Sequence, residues 1–196
     1  GSGSGKTTFT RKLTKLFNND LDDDNILMIE MDSYYKDLST LSFKEREIKN
    51  FDHPDAFDFE LLEKQLDDLT NNKSVDIPIY DYSKHVRKKT TRNAISPIYI
   101  FIEGILILHK KNIRDLLDFK IFIDTKEKIR FERRMKRDLL NRSRTNESII
   151  KQYQNFVHPM YTQYIHPTKK HADFIISGNN KNNEIIDEIY NKIINL

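Results

Sequence analysis

The residues with the clearest chemical meaning open the chain: Gly1-Ser2-Gly3-Ser4-Gly5-Lys6-Thr7-Thr8. Gly5-Lys6-Thr7 closes a phosphate-binding pattern of the form G-x-x-x-x-G-K-[ST]. Glycines let the backbone turn tightly and aim its N–H groups at phosphate oxygens. Gly3, Ser4, Gly5 and Thr8 belong to that cradle. Lys6 is long enough to reach the β- and γ-phosphates, and the Thr7 hydroxyl is a ligand type for Mg²⁺. A helix starting here adds the favourable end of its dipole. In this alignment the first glycine of the pattern falls one position before Gly1. The expectation is a chain cut inside its motif, with the strand that feeds the loop missing upstream. The competing reading of Gly-Ser-Gly-Ser is a flexible linker, which leaves the Lys-Thr-Thr and the amphipathic segment after it unexplained.

Phosphoryl transfer also needs acidic groups to hold a metal ion and orient the attacking hydroxyl. Asp32, Glu103 and Asp124 each follow a short apolar run. Glu103, after Ile98-Tyr99-Ile100-Phe101-Ile102, is the candidate second Mg²⁺ group; its bland reading is a turn or capping carboxylate. Asp32 is the candidate general base; its bland reading is a helix N-cap. A GTPase would also carry Asn-Lys-x-Asp, and Asn180-Lys181-Asn182-Asn183 and Asn72-Lys73-Ser74-Val75 both lack the aspartate, so a kinase is favoured. Arg130, Arg133, Arg134, Arg137, Arg142 and Arg144 crowd one segment. They read as a solvated helix face, a nucleic-acid stripe, or a lid that neutralises charge on the moving phosphoryl group. Arg130, Arg134 and Arg137 share one helical face, and beside a P-loop the lid is favoured.

These groups need elements to position them. Apolar runs at residues 26–31, 98–102, 120–123 and 172–176 read as buried strands. Helical periodicity marks 9–17, 60–69, 113–117, 126–140, 147–164 and 182–194, with 38–49 helical in part and 51–59 a loop. Residues 75–82 and 88–95 flank a basic turn and read as a β-hairpin. Strands alternating with helices predict an α/β fold with a parallel sheet flanked by helices. Ligands in such sheets sit beyond the carboxyl ends of the strands, which is where Asp32, Glu103 and Asp124 fall. The 196 residues suit one domain over 1–196, with the hairpin of 75–95 on the substrate side and a helical lid at 126–146. With 32% charged residues and no apolar run of membrane-spanning length, the sequence implies no membrane and a cytoplasmic location. The absence of cysteine excludes disulfides and thiolate chemistry. A net charge of +3 suits anionic nucleotides without requiring nucleic acid.

The sequence resembles the uridine kinase (uridine–cytidine kinase) family along essentially its whole length. The P-loop is widely shared. More specific are Asp32-Ser33-Tyr34-Tyr35, Asn50-Phe51-Asp52-His53-Pro54-Asp55-Ala56-Phe57-Asp58 and Ile79-Tyr80-Asp81-Tyr82-Ser83-Lys84-His85. Glu103-Gly104-Ile105-Leu106, Arg133-Arg134 with Arg137-Asp138, Gln152-Tyr153, and Pro167-Thr168-Lys169-Lys170 before Ala172-Asp173 continue it. The resemblance implies a P-loop kinase fold and phosphorylation of the 5′-hydroxyl of uridine and cytidine in pyrimidine salvage, with ATP as donor (GTP possible) and Mg²⁺. It implies Asp32 as base, with Lys6 and Arg137 also catalytic. Asp52 would hold the ribose hydroxyls with Arg134 nearby, and Tyr80 and His85 would read the pyrimidine edge. Tyr35, Phe51, Tyr82, Arg144 and Gln152 would make further substrate contacts. Thr7 and Glu103 would serve the metal, and Arg137 and Arg142 the phosphates. A neutral histidine can donate to a uracil carbonyl or, as the other tautomer, accept from a cytosine amino group. A homotetramer is a further implication.

The chain departs from the family pattern where Asn141-Arg142-Ser143-Arg144 lacks the usual glycine before the last arginine, and in Gly178-Asn179-Asn180-Lys181. Rival readings are a kinase of another small alcohol, such as pantothenate or ribulose phosphate, a nucleotide-binding regulator without turnover, and a basic RNA-binding protein. The first would not need the Tyr80–His85 pattern. The last would be expected to interleave aromatics with its arginines.

Overall fold

The computed structural model describes residues 1–20, 25–141, 145–179 and 184–196. Four short strands form two parallel ladders. β1 (Ile26–Glu30) pairs with β4 (Tyr99–Glu103) in the register Ile26↔Tyr99 to Glu30↔Glu103. β5 (Ile121–Asp124) pairs with β6 (Phe174–Ser177), from Ile121↔Phe174 to Asp124↔Ser177. Their near-continuous apolar sequences follow from burial on both faces. On one face Leu27, Ile29, Ile100, Ile102 and Phe122 join Leu62, Leu66 and Leu69 of α3 (Phe59–Thr70) and Ile113 of α4 (Lys111–Asp115). On the other, Ile26, Tyr99, Phe101, Ile121 and Ile176 meet Leu13 and Phe17 of α1 (Lys6–Asp20) and Ile186 and Ile189 of α8 (Glu184–Ile193). The side-chain period of 2 sends alternate residues to the two layers. Phe17 centres the second layer, 4.7 Å from the rings of Tyr99 and Tyr190 and 5.1 Å from Phe101.

The hairpin forms as expected from β2 (Val75–Asp81) and β3 (Val86–Ala94), antiparallel. Its register shifts between Pro78 and Tyr80; a proline has no N–H for the ladder, and a bulge accommodates it. Asp81 builds the turn by accepting from the N–H groups of Ser83 (3.0 Å) and Lys84 (3.1 Å). The short α2 (Phe43–Glu47) is the helical part of 38–49, set by a Ser42–Glu45 capping box.

The long helix expected over 147–164 is several helical types in sequence. α6 (Asn146–Gln152) passes into a π turn (Tyr153–Val157), a single α turn α7 (His158–Met160), a second π turn (Tyr161–Ile165) and a 3₁₀ stretch (His166–His171). Pro159 lies between the π turns. It lacks an N–H and crowds the preceding turn, so the α ladder cannot run through it unchanged. α5 (Glu127–Asn141) carries the arginine cluster; Arg142 and Arg144 lie outside the described residues.

Candidate active site

The P-loop turns through two glycines with positive φ, Gly3 at 75° and Gly5 at 100°. At Gly3 a Cβ would sit 2.3 Å from the backbone oxygen of Arg130, so the turn packs too closely on α5 for a side chain. The Ser4 carbonyl points back into the protein, accepting from Thr125 Oγ1 at 3.0 Å and from the Arg133 guanidinium at 3.4 Å. Arg133 also donates to the Gly178 carbonyl at 2.9 Å. Arg130, 3% exposed, stacks 3.6 Å from the Tyr161 ring centre and donates to the Thr125 carbonyl at 3.1 Å. Sequence reasoning missed Thr125 as a support of the loop; its position directly after the strand-end Asp124 was the available signal.

α1 starts at Lys6, directly after the turn, so the anion-favouring end of the helix faces the cradle. Thr7 Oγ1 donates to Glu103 Oε1 at 2.6 Å, and Lys6 Nζ stands 3.8 Å from Glu103 Oε2. Residues nearly a hundred positions apart in sequence are thereby joined. Thr8 is exposed on the first turn of α1. The pairing of Glu30 with Glu103 puts the carboxyl ends of β1 and β4 at one edge. Asp32 lies just beyond that end, in a 3₁₀ turn (Met31–Tyr34) whose N-cap position is occupied by Glu30.

A second group is aromatic. Tyr35 stacks on Phe57 at 4.4 Å and meets Tyr80 at 5.1 Å and Phe51 at 5.3 Å. Phe51 stacks on His85 at 4.8 Å and 18° between planes, and Tyr80 lies edge-on to Tyr82 at 5.5 Å. His85 adopts φ 54°, the left-handed conformation that closes the hairpin turn. Tyr80 is buried, and its hydroxyl has no hydrogen-bond partner among the described residues. Burial pushes that phenol well above its ordinary range, with the carboxylates of Asp37 and Asp32 adding to the effect. Asp52, 6% exposed, follows Phe51 in the loop.

Arg87 fastens this cluster, and sequence reasoning had assigned it no role. Its guanidinium donates to the Tyr35 carbonyl at 2.7 Å, the Tyr34 carbonyl at 3.3 Å and Asp58 Oδ2 at 3.1 Å. Its own N–H donates to Asp37 Oδ1 at 3.2 Å. At the hairpin tip Arg46 donates to the Lys84 carbonyl at 2.7 Å.

The third group centres on α5. Arg134, 5% exposed, donates to Ser2 Oγ at 2.7 Å and Gln152 Oε1 at 2.9 Å, and its Nε lies 3.4 Å from Asp138 Oδ2 as an ion pair. Arg137 Nε donates to Asp138 Oδ1 at 2.9 Å while its side chain keeps 38% of its exposure. The arginines expected to share one lid face therefore differ: Arg130 and Arg134 are buried and held, and Arg137 remains partly open.

A phosphate-binding loop lies at the carboxyl edge of parallel strands, and the next loops build a cluster of aromatic rings. Such a molecule is of the P-loop kinase class. Solved structures share its fold: a D-glycerate 3-kinase from Cryptococcus neoformans (TM-score 0.63, 16% identity, 86% of this chain and 82% of that one) and a possible uridine kinase from Bacillus stearothermophilus (TM-score 0.59, 18% identity, 88% and 82%). The chain belongs to the phosphoribulokinase / uridine kinase family, whose model matches residues 1–184. It is similar to the uridine kinases of Streptococcus pyogenes serotype M5 (47% identity, all of this chain and 92% of the relative) and Streptococcus agalactiae serotype V (46%, with the same coverage).

Proposed function

We propose that this enzyme transfers the γ-phosphoryl group of ATP to the 5′-hydroxyl of uridine and cytidine. The observation that carries the reading is the Tyr80 hydroxyl, buried and without a partner beside the Phe51–His85 stack. Burying a hydroxyl unsatisfied is costly, so a polar ligand edge is the natural partner for this one. A flat pyrimidine offers both that edge and a face for the rings. The full-length similarity to uridine kinases points the same way.

In this reading Gly3, Ser4, Gly5, Thr8 and the start of α1 hold the triphosphate, with Lys6 on the β- and γ-phosphates and Arg137 and Arg142 completing the charge. Asp52 takes the ribose hydroxyls with Arg134 nearby, and Arg144 and Gln152 make further substrate contacts. Tyr80 and His85 take the base edge, and Tyr35, Phe51 and Tyr82 its surroundings. Asp32 accepts the 5′-hydroxyl proton as the new O–P bond forms and the bond to the ADP oxygen breaks. Residues 75–95 serve the nucleoside, and residues 126–146 act as the lid of a single domain.

Thr7 and Glu103 fit Mg²⁺. Both offer hard oxygen donors, and the 2.6 Å hydrogen bond orients the threonine oxygen while the carboxylate remains able to hold a coordinated water. When bound, the ion neutralises phosphate charge and aligns the reacting group. Among the described residues no helix is long and apolar enough to cross a membrane. The proposal carries with it a cytoplasmic salvage role, a homotetramer and a possible second donor in GTP. An ADP-release assay over a panel of nucleosides, D-glycerate, pantothenate and ribulose 5-phosphate tests it. Turnover is expected with uridine and cytidine; turnover confined to a non-nucleoside alcohol, or none at all, overturns it.

A further inference from the structure

The loop that carries Asp52 is tied down unevenly. Its far end is sewn to the segment after Asp32: the Asp58 N–H donates to the Tyr34 carbonyl at 2.8 Å, the Lys36 N–H to the Ala56 carbonyl at 2.8 Å, and Tyr35 bridges Phe57. The near end is held by ring packing, Phe51 lying against Tyr35 and His85, and its hydrogen bonds run chiefly within itself. The Asp52 N–H donates to Asn50 Oδ1 at 3.1 Å and the His53 N–H to the Asn50 carbonyl at 3.3 Å. Among the described residues, the hydrogen bond from this end to another element joins His53 Nε2 to the Tyr164 hydroxyl at 3.3 Å.

The chemistry of that bond is directional. His53 Nδ1 accepts from the Asp55 N–H at 3.1 Å, capping the short 3₁₀ turn Pro54–Ala56. A neutral imidazole with Nδ1 accepting carries its proton on Nε2, so Nε2 donates to the tyrosine. Tyr164 sits in the second π turn, edge-on to the rings of both His53 (5.1 Å) and His109 (5.6 Å). Three residues earlier in the same turn, Tyr161 carries the buried Arg130 behind the P-loop. The π turn thus packs against the nucleoside loop and the phosphate cradle at once.

We propose that His53 and Tyr164 are positioning residues that set the nucleoside-side carboxylate Asp52 by locking its loop to the π-helical segment. The proposal rests on the reading of Asp52 as a ribose-binding group. Without the lock, the packing of Phe51 on Tyr35 and His85 still holds the near end, but Asp52 loses the hydrogen-bonded anchor beside it, and binding falls because more of the loop must be ordered on binding.

Two conservative variants separate the lock from simple stability. Tyr164→Phe removes the hydroxyl and keeps the ring. His53→Asn keeps an acceptor suited to the Asp55 N–H, since Asn is a favoured cap, and removes the reach to Tyr164. Loss of one ordering hydrogen bond predicts a rise of about 3- to 10-fold in uridine KM for each. The double variant should be no worse than the singles, because both break one bond. ATP KM and melting temperature should stay near the parent values. Hydrogen exchange of residues 50–58, measured without substrate, should rise in both variants while that of α1 does not. Unchanged exchange in that loop, additive effects in the double variant, or an equal rise in ATP KM overturns the lock. If exchange rises as expected but the parent does not phosphorylate uridine, the lock stands and the assignment of its substrate falls.

Discussion

At the scale of single residues, the aspartate beyond β1 bears the sharpest expectation. Asp32 lies in the turn after a buried strand whose last residue pairs with Glu103, itself bonded to Thr7. Positioning and electrostatics supply most of the catalysis of phosphoryl transfer, so removing a base slows the reaction without preventing binding. Asp32→Asn is expected to lower kcat by about 10²–10⁴-fold, with ATP and uridine still binding by titration calorimetry; parental turnover would show that the proton goes elsewhere. His109 gives a second test. Burial, with help from the Lys110 and Arg114 charges, lowers its pKa below the ordinary histidine value. The unfolded chain therefore binds a proton there more readily than the folded one. The stability this neutral histidine contributes is present above the unfolded pKa of about 6.5 and is lost as pH falls through the lower folded value. Melting temperature should fall between about pH 7 and about pH 5, and His109→Gln should flatten that part of the curve. An identical curve for the variant would remove His109 as its cause.

At the scale of elements, the hairpin is the piece whose attachment matters most. Its own ladder holds β2 to β3, and Arg87 is a main tie to the segment after β1, bonding the Tyr34 and Tyr35 carbonyls and Asp58 in one fork. Bonds to a charged donor are worth about 1.5–3 kcal/mol each when buried, and less where water competes. Arg87→Ala should raise uridine KM by about tenfold or more and leave ATP KM near the parent value. Steady-state kinetics on both substrates decide this, and a matched rise in both would mean that Arg87 supports the whole fold.

At the scale of the whole molecule, the ladders are held between two helical layers, and Phe17 is where α1, β4 and α8 converge. It is 1% exposed and touches Tyr99, Phe101 and Tyr190. Truncating a buried aromatic removes its transfer energy and leaves a cavity. Phe17→Ala should cost about 3–5 kcal/mol in a urea titration. Because α1 begins at the phosphate cradle, the same variant should weaken ATP binding more than uridine binding. A loss below about 1 kcal/mol would mean that this layer repacks around the gap.

Much of this was legible in the residues themselves. The P-loop chemistry, the parallel strands and the hairpin follow from local rules: glycines where the backbone turns, apolar runs where both faces are covered, two runs flanking a basic turn. These depend on neighbours in sequence. The β1–β4 register, the Thr7–Glu103 bond and the His53–Tyr164 contact join residues 73 to 111 positions apart, and no local pattern encodes a partner at that distance. The arginines show the difference most plainly. Helical spacing put Arg130, Arg134 and Arg137 on one face, but periodicity does not say what that face meets. Tyr161, Gln152 and Asp138 decide it, burying two of the guanidiniums and leaving the third partly open. The sequence by itself determined which chemical groups the protein owns and the secondary structure that carries them. Their pairing was decided only by tertiary packing, because charge burial and hydrogen-bond geometry exist only once distant elements share a surface.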